Sequence, residues 1–204
     1  MRIENSLARI ISLLFHPLLM PSLGMLILFN SGTYLALIPP EAKRVILTIT
    51  FLSTLVFPLS LLPILYFRKL ISDLQIDKRE ERFLPFLLIL ILYILTFIFI
   101  LRLPLHNHIH SYALTFPVMV TVLMIANIRI KVSTHMFGIG GITGLILSLI
   151  LIFAVPLQAY FVLAILAAGL TGTARKISGD YSSLELLGGF LLGLITTGSV
   201  MLIY

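Results

Sequence analysis

"FLPFLLILILYILTFIFILR", residues 83–102, carries no charged side chain before its final arginine, Arg102. An α-helix rises about 1.5 Å per residue, so about 20 residues cross the ~30 Å hydrocarbon core of a bilayer. The stretch lacks the apolar/polar alternation of a barrel strand. Backbone groups in lipid must also find partners within their own segment, so it reads as a membrane-spanning helix. Working outward, comparable runs occupy 8–29, 45–67, 112–128, 139–155, 157–173 and 184–203, which gives a literal count of seven spans. The run 112–128 is short, and only Pro156 and its neighbours separate 139–155 from 157–173, so one of these segments is open to being tilted, broken or re-entrant.

The composition agrees. Of 204 residues, 59% are hydrophobic and only 11% are charged, which excludes a water-soluble domain of this length. The expected architecture is all-α, a polytopic transmembrane bundle of about six or seven spans forming a single integral membrane domain over 1–204. The absence of cysteine excludes disulfides, thiolate catalysis and cysteine-ligated metal. The first run holds His16, Pro17 and Pro21 and no small-residue cleavage pattern, so it reads as a retained span rather than a removed signal peptide.

Span parity brings the N-terminus, the loop 68–82, the stretch 129–138 and the stretch 174–183 to one face. That face holds Arg2, Arg9, Arg68, Lys69, Lys78, Arg79, Arg82, Arg129, Lys131, Arg175 and Lys176, eleven of the fourteen basic residues, against Lys43, Arg44 and Arg102 opposite. The positive-inside rule places it in the cytoplasm. Basic residues at the headgroup level are equally suited to hold phosphate. Setting aside Lys78, Arg82, Lys131 and Arg175 as ligands still leaves seven against three.

Three polar segments on this face carry the candidate chemistry. In "SDLQIDKREERFLPF", residues 72–86, acids and bases interleave as a solvated loop would have them. Arg82, however, abuts an apolar run at a helix N-terminus, where a guanidinium fork and free backbone N–H groups both favour an anion. In "KVSTHMFGIGG", residues 131–141, Lys131, Ser133, Thr134 and His135 precede a glycine-rich helix start. His135 is suited to donate a proton to a leaving oxygen, or alternatively to cap a helix beside packing glycines. In "ARKISGDYSSLELLGGFLLG", residues 174–193, Arg175 closes one span, and Ser182 with Glu185 forms an S-x-x-E capping box that opens the last. Arg175 at a span end is placed either to snorkel to the interface or to join Arg82 and His135 in a phosphate cradle.

Together these blocks resemble the membrane-bound type-2 phosphatidic acid phosphatase and haloperoxidase superfamily, whose signature reads K-x6-R-P, P-S-G-H and S-R-x5-H-x3-D. The resemblance spans residues 75–193, within a phosphatase-like core at about 68–204. Arg82 stands at the first-block arginine, with Gln75 and Phe83 at the lysine and proline positions and Lys78 a substitute from another turn. Ser133, Thr134 and His135 stand at S-G-H, and Arg175 stands at the last-block arginine. The resemblance implies phosphate binding by Lys78, Arg82, Lys131, Ser133, Thr134 and Arg175, with His135 as general acid. Tyr181 occupies the position of the nucleophilic histidine, and Glu185 that of the aspartate that orients it. An ordinary tyrosine is a protonated phenol at neutral pH, so either phosphohistidine chemistry is lost and an anion site kept, or another group such as Asp180 attacks.

The implied function is hydrolysis or binding of a lipid or polyprenyl phosphate or diphosphate, with no metal, cofactor or nucleic acid. The implied setting is a bacterial cytoplasmic membrane, although sites of this superfamily often face away from the cytoplasm. The alternative is an inactive relative that binds anionic lipid or supports a protein complex. Two further patterns compete. Asp73, Asp77, Glu81 and Arg82 have the D-x3-D-x3-D-R-type spacing by which intramembrane aromatic prenyltransferases, as a resemblance, bind Mg²⁺ diphosphate. His106, His108 and His110 would share one side of an extended strand and could then ligate a metal. His16 before Pro17 reads as an intramembrane functional group or as a satisfied imidazole at a helix kink.

Overall fold

The computed structural model of the chain describes residues 2–73, 79–179 and 181–204. The described residues form nine α-helices and no strand: α1 (Arg2–Leu14), α2 (Met20–Phe29), α3 (Pro40–Phe51), α4 (Phe57–Phe67), α5 (Phe83–Leu101), α6 (Asn107–Arg129), α7 (Thr134–Phe153), α8 (Gln158–Ile177) and α9 (Ser183–Ile203). Among the described residues, seven stretches are long and apolar enough to cross a membrane: Leu7–Phe29, Pro40–Phe67, Phe83–Leu101, Asn107–Arg129, Thr134–Phe153, Gln158–Ile177 and Ser183–Ile203. The chain is an all-α integral membrane bundle. Large apolar side chains such as Leu151, Leu163, Leu166 and Ile195 are exposed on its outside, where lipid replaces water.

The segments suspected of being incomplete are full length, and the broken span is the first. Pro17 lacks the N–H that would continue the helix, and His16 before it takes an extended conformation (φ −65°, ψ 132°). The Leu18 N–H then donates to His16 Nδ1 at 3.3 Å, so the imidazole caps the short turn Pro17–Leu19 that leads into α2. The second span is continuous but locally underwound. Pro58 has no N–H to offer the Thr54 carbonyl, the turn Leu52–Val56 widens to π geometry, and Tyr93 Oη donates to that carbonyl at 3.4 Å. The pair α7 and α8 separates where Ala154 adopts a left-handed conformation (φ 50°), two residues before Pro156.

α7 is the central helix and packs hardest on α9. A Cβ at Gly140 would meet the Phe190 carbonyl, one at Gly144 the Leu194 carbonyl, and one at Gly193 the Phe137 carbonyl. The glycines thus let two backbones touch, the usual way membrane helices gain packing where lipid is as apolar as leucine. On its other side α7 contributes Leu145, Ile146 and Leu149 to a core shared with Met25, Leu28 and Phe29 of α2 and Tyr112 and Phe116 of α6. Thr143 and Ser148 donate back to Ile139 and Gly144 carbonyls at 2.9 and 2.8 Å, so their hydroxyls cost little inside the bundle.

Candidate anion site

The loops before α5, α7 and α9 meet at one end of the bundle. Arg82, the N-cap of α5, is only 4% exposed. Its Nη2 donates to Tyr181 Oη at 2.9 Å, and its Nη1 donates to the Val132 carbonyl at 3.4 Å. One guanidinium therefore ties three segments separated by 50 and 99 positions. Lys131 Nζ lies 4.7 Å and Arg175 Cζ 5.3 Å from the centroid of the buried Tyr181 ring, so the phenol ring holds two cations while its oxygen accepts from a third.

His135 lies in the first turn of α7. Its Nε2 stands 3.2 Å from the carbonyl of Ser12, in the last turn of α1, where carbonyls outrun the helix's own donors. A carbonyl only accepts, so Nε2 carries the hydrogen and Nδ1 is the ring nitrogen left for chemistry. The His16 ring lies against His135, edge to face, with centroids 5.8 Å apart.

Arg82, Thr134, His135, Arg175 and Tyr181 line one cavity of about 830 Å³. Arg9, Ser12 and His16 from the N-terminal span line it too. Beyond this polar end the walls are apolar, including Leu62, Phe86, Ile89, Phe116, Val120 and Leu123, and Tyr93 and Tyr112 also border it. Among the described residues, no aspartate or glutamate lines the cavity.

Not every expected residue joins the cavity. Ser133 is fully buried as the N-cap of α7, its hydroxyl accepting from the Met136 N–H at 3.5 Å. Glu185 completes the capping box of α9, its Oε2 accepting from the Ser182 N–H at 2.7 Å while the Ser182 hydroxyl accepts from the Glu185 N–H at 3.3 Å. The carboxylate is spent on the helix it opens and is absent from the cavity lining. Lys131 reaches the Tyr181 ring without lining the cavity. Lys78, with Gln75, Asp77 and Asp180, lies outside the described residues.

The competing patterns fare differently. A shared face for Asp73, Asp77 and Glu81 needs one continuous helix, but Asp73 is not helical and Glu81 Oε2 accepts from the Ser72 N–H at 2.6 Å and hydroxyl at 2.9 Å. His108 and His110 lie in the first turn of α6, with His106 as its N-cap, so they lack the common side an extended strand would give. His106 packs on Tyr34 and His108 on Phe153, with centroids 4.6 and 5.0 Å apart, and among the described residues no three metal-ligating side chains converge.

What the sequence did not disclose is the part played by the N-terminal span. The only signal was the polar His16 before a proline inside an apolar run. Ser12 gave none, because its carbonyl meets a histidine 123 positions away. Comparison with protein-family models, curated proteins and solved structures returned no match.

Proposed function

We propose that this membrane protein receives the phosphoryl group of a lipid or polyprenyl phosphate or diphosphate at the cationic end of its cavity. The observation that carries the reading is that Arg82, His135 and Arg175, drawn from three separate segments, line one cavity that continues between apolar walls. Guanidinium forks suit phosphoryl oxygens, and the apolar extension suits a hydrocarbon chain entering from the bilayer. In the hydrolytic form, a water oxygen forms the new bond to phosphorus as the P–O ester bond breaks, protonated His135 gives its Nδ1 proton to the leaving oxygen, and the proton released by the water restores it. Tyr181 stands beside the phosphoryl position. The setting that fits the charge asymmetry is a bacterial cytoplasmic membrane with the site at its cytoplasmic face.

A second reading is favoured by the Arg82–Tyr181 bond at 2.9 Å and the capping role of Glu185. On it, no group is oriented for attack and the chain is an inactive relative that holds an anionic headgroup, alone or within a membrane complex. Phosphate release from phosphatidic acid and from a polyprenyl diphosphate separates the two. The hydrolytic form requires release by the parent and its loss in His135→Ala by about 10²–10⁴-fold. A silent parent that gains release in Tyr181→His supports the inactive reading. Undiminished release in His135→Ala removes the histidine from the reaction.

A further inference from the structure

We propose that Ser12 and His16 form a second bank of donors for the same phosphoryl oxyanion, so that the N-terminal span is half of the binding site. This rests on the anion-site reading above and extends it to residues outside the resemblance. Both residues line the cavity with Arg9, Arg82, His135 and Arg175. Arg9 and Ser12 lie at i, i+3 on one face of α1, and His16 follows at the break before Pro17 that leads to the mouth of α2.

The hydrogen-bond pattern fixes what each offers. Leu18 donates to His16 Nδ1, so the neutral ring carries its hydrogen on Nε2. Among the described residues, that Nε2–H makes no hydrogen bond to protein. The Ser12 hydroxyl is buried and has no hydrogen-bond partner among the described residues, an arrangement that costs stability inside a membrane unless an acceptor arrives. An acceptor-only ligand is the complement of such walls, and among the described residues no acid lines the cavity to prefer a cation. A phosphoryl group offers three oxygens where a carboxylate offers two. Donors on two sides, from Arg82 and Arg175 and from Ser12 and His16, match the larger set.

The test is titration of inorganic phosphate into the purified full chain in zwitterionic-lipid nanodiscs, with Arg82→Gln as the reference variant. His16→Asn keeps an acceptor for the Leu18 N–H but no longer reaches as far as Nε2. His16→Gln reaches with an amide donor but loses the cap. The expected result is affinity weakened about ten- to a hundredfold in His16→Asn and in Arg82→Gln, with His16→Gln close to the parent. Ser12→Ala is expected to weaken binding about three- to tenfold. Arg82→Gln weakened with His16→Asn and Ser12→Ala unchanged overturns the inference and leaves the anion site standing. No effect of any of these variants overturns both. Loss in His16→Gln equal to that in His16→Asn assigns the effect to the cap and also overturns the inference. Competition by phosphatidic acid in the nanodisc supports a lipid headgroup as the natural source of the phosphoryl group, and its absence supports a free one.

Discussion

Arg82 is a buried arginine that a bilayer-embedded protein keeps only with acceptors at hand, and Tyr181 and Val132 supply them. Its planar fork is what bridges the two, so lysine is no substitute. Arg82→Lys is expected to lower phosphate affinity at least about tenfold, read by calorimetric titration. Tyr181→Phe keeps the ring beside Lys131 and Arg175 but removes the oxygen that accepts from Arg82. Leaving that buried guanidinium short of a partner is expected to cost about 1–3 kcal/mol in thermal or denaturant stability, and a variant as stable as the parent would contradict this role. At this scale the sequence was legible where chemistry is local. Arg82 at the head of an apolar run, the S-x-x-E box at Ser182 and Glu185, and His135 at a helix start are all visible in a few letters. The same letters led Glu185 to be placed in the site. The capping geometry holds its carboxylate at the Ser182 N–H, a choice between two local partners that spacing alone does not settle.

The elements were read mostly from uninterrupted apolar runs, and their ends moved where polar first turns disguised the start. α3 begins at Pro40, with Glu41, Lys43 and Arg44 ahead of the apolar run, and α6 begins at Asn107 through His108 and His110. The break at His16 was legible as a kink but its consequence was not. The bend sets Ser12 and His16 beside a helix more than a hundred positions on, and no periodicity reports such a contact. The glycines of α7 were legible as packing residues, and the structure makes the prediction sharp. Gly140→Ala would push a methyl into the Phe190 carbonyl and is expected to lower stability by about 1–3 kcal/mol. Gly188→Ala, where an added Cβ meets nothing within 4 Å, is expected to leave thermal stability in detergent unchanged or slightly raised. Equal effects of the two would show that α7 and α9 do not touch through their backbones.

Across the whole molecule, basic charge is concentrated at the end of the bundle where the cavity's cations gather, and at the opposite end Lys43 serves structure. Lys43 there donates to the Ala36 and Phe29 carbonyls at 2.7 and 3.4 Å, closing the end of α2. With no cysteine in the chain, Asp73→Cys is a single reporter on the loop before Arg82. A membrane-impermeant maleimide is expected to label it in inverted vesicles and not in intact cells, and the reverse would place the site outside the cytoplasm. The central claim concerns the cavity itself, that the groups at positions 82, 135 and 175 converge on one tetrahedral anion. Determining the structure with tungstate bound tests it most directly. The account predicts anomalous density inside the cavity within hydrogen-bond reach of Arg82, Arg175 and His135. Saturating tungstate that leaves this position empty, or that settles only on surface lysines, would contradict it.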